Sequence, residues 1–238
     1  MQPYNSQTQT AAGYDAGLRS HFIRVYNVMA LGLVITGLMA WFSSQNEAML
    51  GALASLHSNP LLGFVVMLSP MIIMMLAFNP ASMRKLSAPA LTGIFLAFSA
   101  YFGWLLSTIF VIYTAESIAR VFFITAATFL AMSIWGYTTK KDLSSMGSFL
   151  MMGMIGLLIA IVVNFFLQSE LMMFIISCAG VVIYTLLTAY DTQAIKEMYQ
   201  VETGGEANAK LAVMGSLSLY LNFIMLFQFL MQLLGQRE

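Results

Sequence analysis

An all-α integral membrane protein, a bundle of seven transmembrane helices, is the fold class this chain predicts, and three observations predict it. Of its 238 residues 60% are hydrophobic and only 8% charged, whereas soluble domains carry about a quarter charged residues. Seven apolar runs recur along the chain, each near the roughly 18–20 residues that a helix needs to cross a hydrocarbon layer. None of the runs alternates apolar with polar side chains, so none reads as a strand.

The elements follow in order. The first twenty residues are polar (Gln-Pro-Tyr-Asn-Ser-Gln-Thr-Gln-Thr) and contain no short apolar core with a small-residue cleavage site, so residues 1–20 read as a disordered cytoplasmic tail and not as a signal peptide. Residues 21–238 read as one membrane domain. Span one is Val25–Phe42. The connection from Phe42 to Leu61 is under twenty residues and is too short for a soluble domain. Span two, Leu61–Phe78, contains Pro70 after Ser69, which predicts a kink. Span three, Ala90–Tyr113, is separated from span four, Val121–Tyr137, by Thr114, Glu116, Ser117 and Arg120. Glu116 and Arg120 are spaced for an ion pair on one helix face. Trp41, Trp135 and Tyr137 suit the interfacial aromatic belt, while Trp104 lies too near the middle of its span. Asp142 or Ser144 caps span five, Met146–Leu167, where Gly147, Gly153 and Gly156 allow close helix contact. Span six is Leu171–Tyr190, with Cys178 in its middle as a small buried apolar side chain. Span seven is Leu211–Leu234.

Charge orients the bundle. Arg19, Arg24, Arg84, Lys85, Lys140, Lys141, Lys196 and Lys210 fall on one side if the spans alternate, and Arg120 and Arg237 on the other. The positive-inside rule places the first side, with the N-terminus, in the cytoplasm and the C-terminus outside. Ten basic residues balance ten acidic ones, so no basic excess is present to hold nucleic acid. The expected surroundings are the lipid bilayer of a bacterial inner membrane.

Enzymatic chemistry is hard to assemble. The two histidines, His21 and His57, both lie outside the predicted spans, which excludes a metalloprotease pair and an intramembrane serine protease. Span seven has no Schiff-base lysine for retinal, and Gly204-Gly205 lacks the Lys-Ser/Thr of a phosphate loop. Tyr190-Asp191 is similar to the Tyr-Asp of presenilin-type aspartyl proteases. That chemistry needs a second aspartate in the next span, and the amide Asn222 stands at mid-depth there. The expectation is no enzyme and no cofactor.

Asp191 carries the functional signal. It closes the apolar run of span six in Leu-Thr-Ala-Tyr-Asp-Thr-Gln, and a carboxylate at such a place costs about 2.5–3.5 kcal/mol or more on insertion scales. Asn222 lies roughly 16 Å into span seven at 1.5 Å per residue. For the two to meet, span six must continue about ten residues past Asp191, through Ile195 and Met198 towards Glu202. It is then expected to end near Thr203-Gly204-Gly205, where glycine can terminate a helix.

Three segments together resemble a known family. They are Thr138-Thr-Lys-Lys-Asp-Leu-Ser144, Thr188-Ala-Tyr-Asp-Thr-Gln193 and Ser216-Leu-Ser-Leu-Tyr-Leu-Asn-Phe-Ile-Met-Leu-Phe227, and in order and spacing they are similar to the bacterial branch of the Bax inhibitor-1 (transmembrane Bax-inhibitor-motif) family. The resemblance implies six helices around a central last one. It also implies a pH-sensitive calcium leak gated by two aspartates on the sixth and seventh helices. Asp191 matches the first of these, and Asn222 occupies the position of the second. Arg84 is the nearest match to a basic residue that the family carries late in its second helix. With Arg84, Tyr190, Ser218 and Glu197 complete the candidate site as supporting residues.

Two functions of different class follow. One is a calcium or other cation leak, or its gate, with Asp191 as titrating group and weak calcium ligand; a single carboxylate and an amide are too few for a tight calcium site, which suits conduction. The other is a non-conducting interaction protein that modulates a second membrane protein, such as a membrane protease.

Overall fold

The structure, a computed structural model, describes residues 4–199 and 204–237. Among them the chain is helical: α1 (Tyr4–Ser44), α2 (Glu47–Ser58), α3 (Pro60–Ala77), α4 (Pro80–Lys85), α5 (Ala88–Leu105), a 3-10 turn (Leu106–Thr108), α6 (Ile109–Ile112), α7 (Ala115–Thr138), α8 (Ser144–Leu167), α9 (Glu170–Met198) and α10 (Gly204–Leu234). Seven segments are long and apolar enough to span a membrane: Ala16–Ser44, Pro60–Ala77, Ala88–Ile112, Ala115–Thr138, Ser144–Leu167, Glu170–Met198 and Gly205–Leu234. The seven predicted spans are therefore present in order, as a seven-helix membrane bundle. The one β-bridge among the described residues, Tyr113 to Arg237, is isolated.

Local chemistry sets the boundaries. Asn46, Asn59 and Asn79 each turn a side-chain oxygen back onto the first free amides of α2, α3 and α4, and proline follows the last two, where its missing N–H costs nothing. Ser87, Thr114 and Ser169 do the same for α5, α7 and α9. Asp142 accepts from the Ser144 amide at 2.8 Å just before α8. The Ser144 hydrogen bonds hold its carboxyl below the ordinary value.

Burial is uneven. The span in α10 is 61% buried, against 6–33% for the other six, so the last helix is the most deeply buried of the seven. Its main packing partners are α1, α5, α7 and α9. Tyr220, Leu217, Leu219, Leu226 and Met231 of α10 are fully enclosed. One apolar cluster joins Phe22, Val25, Phe95 and Phe98 to Tyr220 and Phe223; another joins Leu150, Leu157 and Tyr184 to Leu226 and Phe229. Hydroxyls stitch these contacts. Tyr220 donates to Thr36 Oγ1 (2.6 Å), whose own proton goes to the Ser99 carbonyl, and Ser216 donates to the Val25 carbonyl at 2.9 Å. At the opposite end, the Thr114 amide donates to the Gln236 carbonyl and the Gln236 amide to Ser117 Oγ.

Several expectations change. Residues 4–20, read as part of a disordered tail, begin α1; Leu18 is buried and Gly17 meets the Tyr199 side chain, so packing extends the helix upstream of its apolar run. Met1–Pro3 lie outside the described residues. The Phe42–Leu61 connection contains the short apolar helix α2, and Trp104, expected near the middle of its span, donates its indole N–H to the Met49 carbonyl there at 3.2 Å. Pro70 lies inside α3; the Ser69 hydroxyl donates to the Val66 carbonyl that proline leaves free, and Tyr101 donates to Ser69. Cys178 is exposed on the outer surface of α9, not buried, because an apolar face in lipid has no reason to turn inward. Glu116 and Arg120 form the expected ion pair at 3.0 Å.

Glycine sets the closest helix crossings. A methyl group at Gly136 of α7 would run into the Ala189 backbone of α9, and Gly147 and Gly153 of α8 lie under the Tyr190 ring and the Ile183 side chain. Gly156, expected to do likewise, has nothing within 4 Å. Gly136→Ala should therefore cost about 1–3 kcal/mol by forcing two backbones apart. Gly156→Ala should be neutral or stabilising by up to about 1 kcal/mol through helix propensity. Thermal melts of the two variants in one detergent check the difference; equal melting temperatures would refute the assigned crossing.

Candidate functional site

The helical period decides which side chains meet. On α9, Asp191, Ala194, Ile195 and Met198 recur at the spacing of one face, and on α10 Leu211, Gly215, Ser218 and Asn222 do the same. The two faces are pressed together. A side chain at Gly215 would strike Ile195, and one at Gly180, further along α9, would strike Phe229. Small residues thus let α9 and α10 approach closely enough for short polar side chains to touch.

At that contact Asn222 Nδ2 donates to Asp191 Oδ2 at 2.7 Å. Asn222 is only 5% exposed, and Asp191 is partly buried. Beside the pair opens a cavity of about 50 Å³, lined by His21, Asp191, Ala194, Ile195, Met198, Leu211, Gly215 and Ser218. That volume has room for a small number of waters or an ion. The second carboxylate oxygen of Asp191 accepts no hydrogen bond from the described residues.

On the adjoining face of α9 runs a buried hydroxyl chain. Thr192 donates to the Thr188 carbonyl at 2.7 Å, Ser133 of α7 donates to Thr192 at 3.0 Å, and Tyr26 of α1 donates to Ser133. Each hydroxyl has one proton, so the chain has a single direction. It fixes the turn of α9 that bears Asp191 relative to α1 and α7.

The predicted residues separate. Asp191, Asn222 and Ser218 come together. α9 continues past Asp191 through Ile195 to Met198, as the meeting with Asn222 required. Its end was expected near Thr203-Gly204-Gly205; Gln200–Thr203 lie outside the described residues, and Gly204 and Gly205 begin α10 instead of closing α9. Tyr190 does not reach the cavity, since its ring covers Gly147 of α8; neighbouring positions on a helix face different ways. Glu197 is exposed in a separate cleft with Lys140, Lys141, Asp142, Gln193 and Lys196. Arg84 is exposed on α4, and no hydrogen bond or ion pair joins it to Asp191 among the described residues. Lys210 instead engages that connection, donating to the Met83 carbonyl at 3.1 Å, while Glu206 accepts from the Ala88 amide at 2.9 Å.

His21 was missed. Span one was expected to begin at Val25, which put this histidine outside the spans; it is buried in α1 and forms one wall of the cavity. A signal existed. Leu18, Phe22, Val25 and Met29, all buried, continue the helical period of span one upstream past His21.

No group of three or more His, Cys, Asp or Glu side chains gathers among the described residues. Asp191 could hold a cation only with water completing its shell.

The comparisons agree with this architecture. Residues 18–238 match the family described as "Inhibitor of apoptosis-promoting Bax1". The chain is 41% identical over 225 residues to the inner membrane protein YbhL of Escherichia coli K12, covering 94% of each protein. It is 43% identical over 216 residues to a protein of Borreliella burgdorferi, covering 90% of this chain and 91% of that one. With a protein of Rickettsia prowazekii, RP147, it shares 40% identity over 225 residues, 94% of this chain and 93% of the other. Seven apolar spans, the order of the motif segments and a match across nearly the whole length place the chain in the Bax inhibitor-1 family.

Proposed function

We propose that this membrane protein provides a cation leak, with calcium the ion carried, or serves as the pH-controlled gate of such a leak in a bacterial inner membrane. The observation that supports this most directly is the Asn222–Asp191 hydrogen bond beside a cavity walled by α1, α9 and α10. The ionised carboxylate attracts a cation into a space that is otherwise mostly apolar. Protonation removes that charge and leaves only the amide contact. One carboxylate with few oxygen neighbours binds calcium weakly, which favours passage over retention.

Asn222 makes the acid–base behaviour simpler than that of two facing aspartates. Two carboxylates in contact titrate as a coupled pair, and an aspartate with an asparagine does not. In this reading no covalent chemistry and no bound cofactor take part. The orientation proposed with it has the N-terminus, Lys140–Lys141 and Lys196 in the cytoplasm and Arg120 and Arg237 outside, by the distribution of basic residues.

Calcium flux into liposomes carrying the purified chain, followed from about pH 5 to about pH 8, tests the reading. Asp191→Asn is expected to lower flux and to flatten its pH dependence, because the charge that responds to protons is gone. Asn222→Asp is expected to add a second titration step and steepen the dependence. Equal, equally pH-sensitive flux in wild type and Asp191→Asn would overturn the role of Asp191. No flux from any form would favour the alternative, an interaction protein that acts on another membrane protein such as a protease.

Topology is checked separately. Reporter fusions at Arg19 and after Arg237 should report opposite sides of the membrane; the same side for both would defeat the seven-span orientation.

A further inference from the structure

His21 is only 6% exposed, yet among the described residues its imidazole makes no hydrogen bond. Its ring is held by packing instead, with the Tyr199 ring at 5.2 Å and the Phe22 ring edge-on at 6.3 Å. Neither ring nitrogen is among the enclosed polar atoms left without a partner, so the ring has an accessible side that a ligand can reach. That side faces the Asp191 cavity.

The donors around this space differ in kind. α1 brings an imidazole nitrogen and α9 the carboxylate oxygen that Asn222 leaves free. α10 brings the Ser218 hydroxyl, and the Met198 thioether stands at the rim. Calcium wants six to eight oxygen ligands, and far fewer are present. Imidazole beside carboxylate suits zinc, cobalt or nickel, which accept nitrogen and need only about four to six ligands, some of them water. Asn222 also does for Asp191 what outer-shell partners do for metal-bound carboxylates, fixing one oxygen so that the other points in a constant direction. Arg19 and Arg24, the cations nearest in sequence on α1, are both exposed.

We propose that His21, the free oxygen of Asp191 and the Ser218 hydroxyl form a binding site for a first-row transition-metal dication of the zinc, cobalt and nickel class. This rests on reading the Asp191 cavity as a cation site and assigns its selectivity to the imidazole. Such an ion enters the same space as a passing cation and occupies it longer.

Co2+ is the probe, added to the full-length purified chain in detergent and read by its visible d–d absorption. One Co2+ per chain is expected, displaced by equimolar Zn2+ but not by about tenfold more Ca2+. His21→Gln and Asp191→Asn should each weaken binding by about tenfold or more, and His57→Gln should leave it unchanged. Absence of Co2+ binding, wild-type binding by His21→Gln, or equal displacement by Ca2+ would overturn the site. Should His21→Gln fail to fold, the wild-type chain still decides: Zn2+ must slow diethyl pyrocarbonate modification of His21, read by mass spectrometry, and no protection would refute the proposal. These are binding readouts, so they separate from flux. Co2+ bound without any leak would uphold the site and sink the leak, and a leak without Co2+ binding would do the reverse.

Discussion

The close contact of α9 with α10 is the constraint on which the rest of the structure depends. Lipid tails are as apolar as the leucines they touch, so helices in a bilayer gain little from hiding hydrophobic surface and must gain from fit. Gly215 against Ile195 and Gly180 against Phe229 provide that fit. Once it is set, Asp191 and Asn222 fall within hydrogen-bonding distance and the adjacent cavity takes its shape. The hydrogen bond itself is a minor part of stability, since such bonds between membrane helices average about 0.6 kcal/mol. Packing holds the two helices together, and the polar pair uses the position that packing creates.

The other polar contacts follow the same logic. Thr36, Ser99 and Tyr220 satisfy one another inside a sheath of phenylalanines, and Tyr26, Ser133 and Thr192 do so behind the cavity. In hydrocarbon a hydroxyl without a partner is costly, so these donors find acceptors either on a neighbouring helix, as Tyr220 and Ser133 do, or one turn back on their own, as Thr192 and Ser99 do. These links add little cohesion, but they allow few rotations of the helices about their axes. The face of α9 that carries Asp191 is therefore fixed from two sides.

Much of the fold was legible in the sequence because length and hydropathy are what a bilayer reads. The seven spans came from the length of the apolar runs; the pairing of Asp191 with Asn222 was implied by the family resemblance, and rise per residue gave the helix length that it needed. The failures share one cause. α1 was cut short at Val25 because Arg19, His21 and Arg24 lower local hydropathy, although Leu18 and Phe22 pack inward. The expectation for Tyr190 followed from adjacency to Asp191, and adjacency on a helix means a turn of about 100°. Arg84 was selected by position in the chain, while Lys210 made the contact from a helix distant in sequence. Hydropathy reports depth in the membrane; it says little about which way a side chain faces within the bundle.

The burial of α10 also bears on how the protein is made. Synthesis runs from the N-terminus, so six spans are made before α10, the most deeply buried of the seven. During that interval the Val25 carbonyl lacks the Ser216 hydroxyl, Thr36 lacks Tyr220, and Asp191 has no Asn222 beside it. These contacts can form only once the roughly thirty residues of α10 have been made, about two to six seconds of elongation. A chaperone or insertase that shields open polar grooves would find its substrate in that interval.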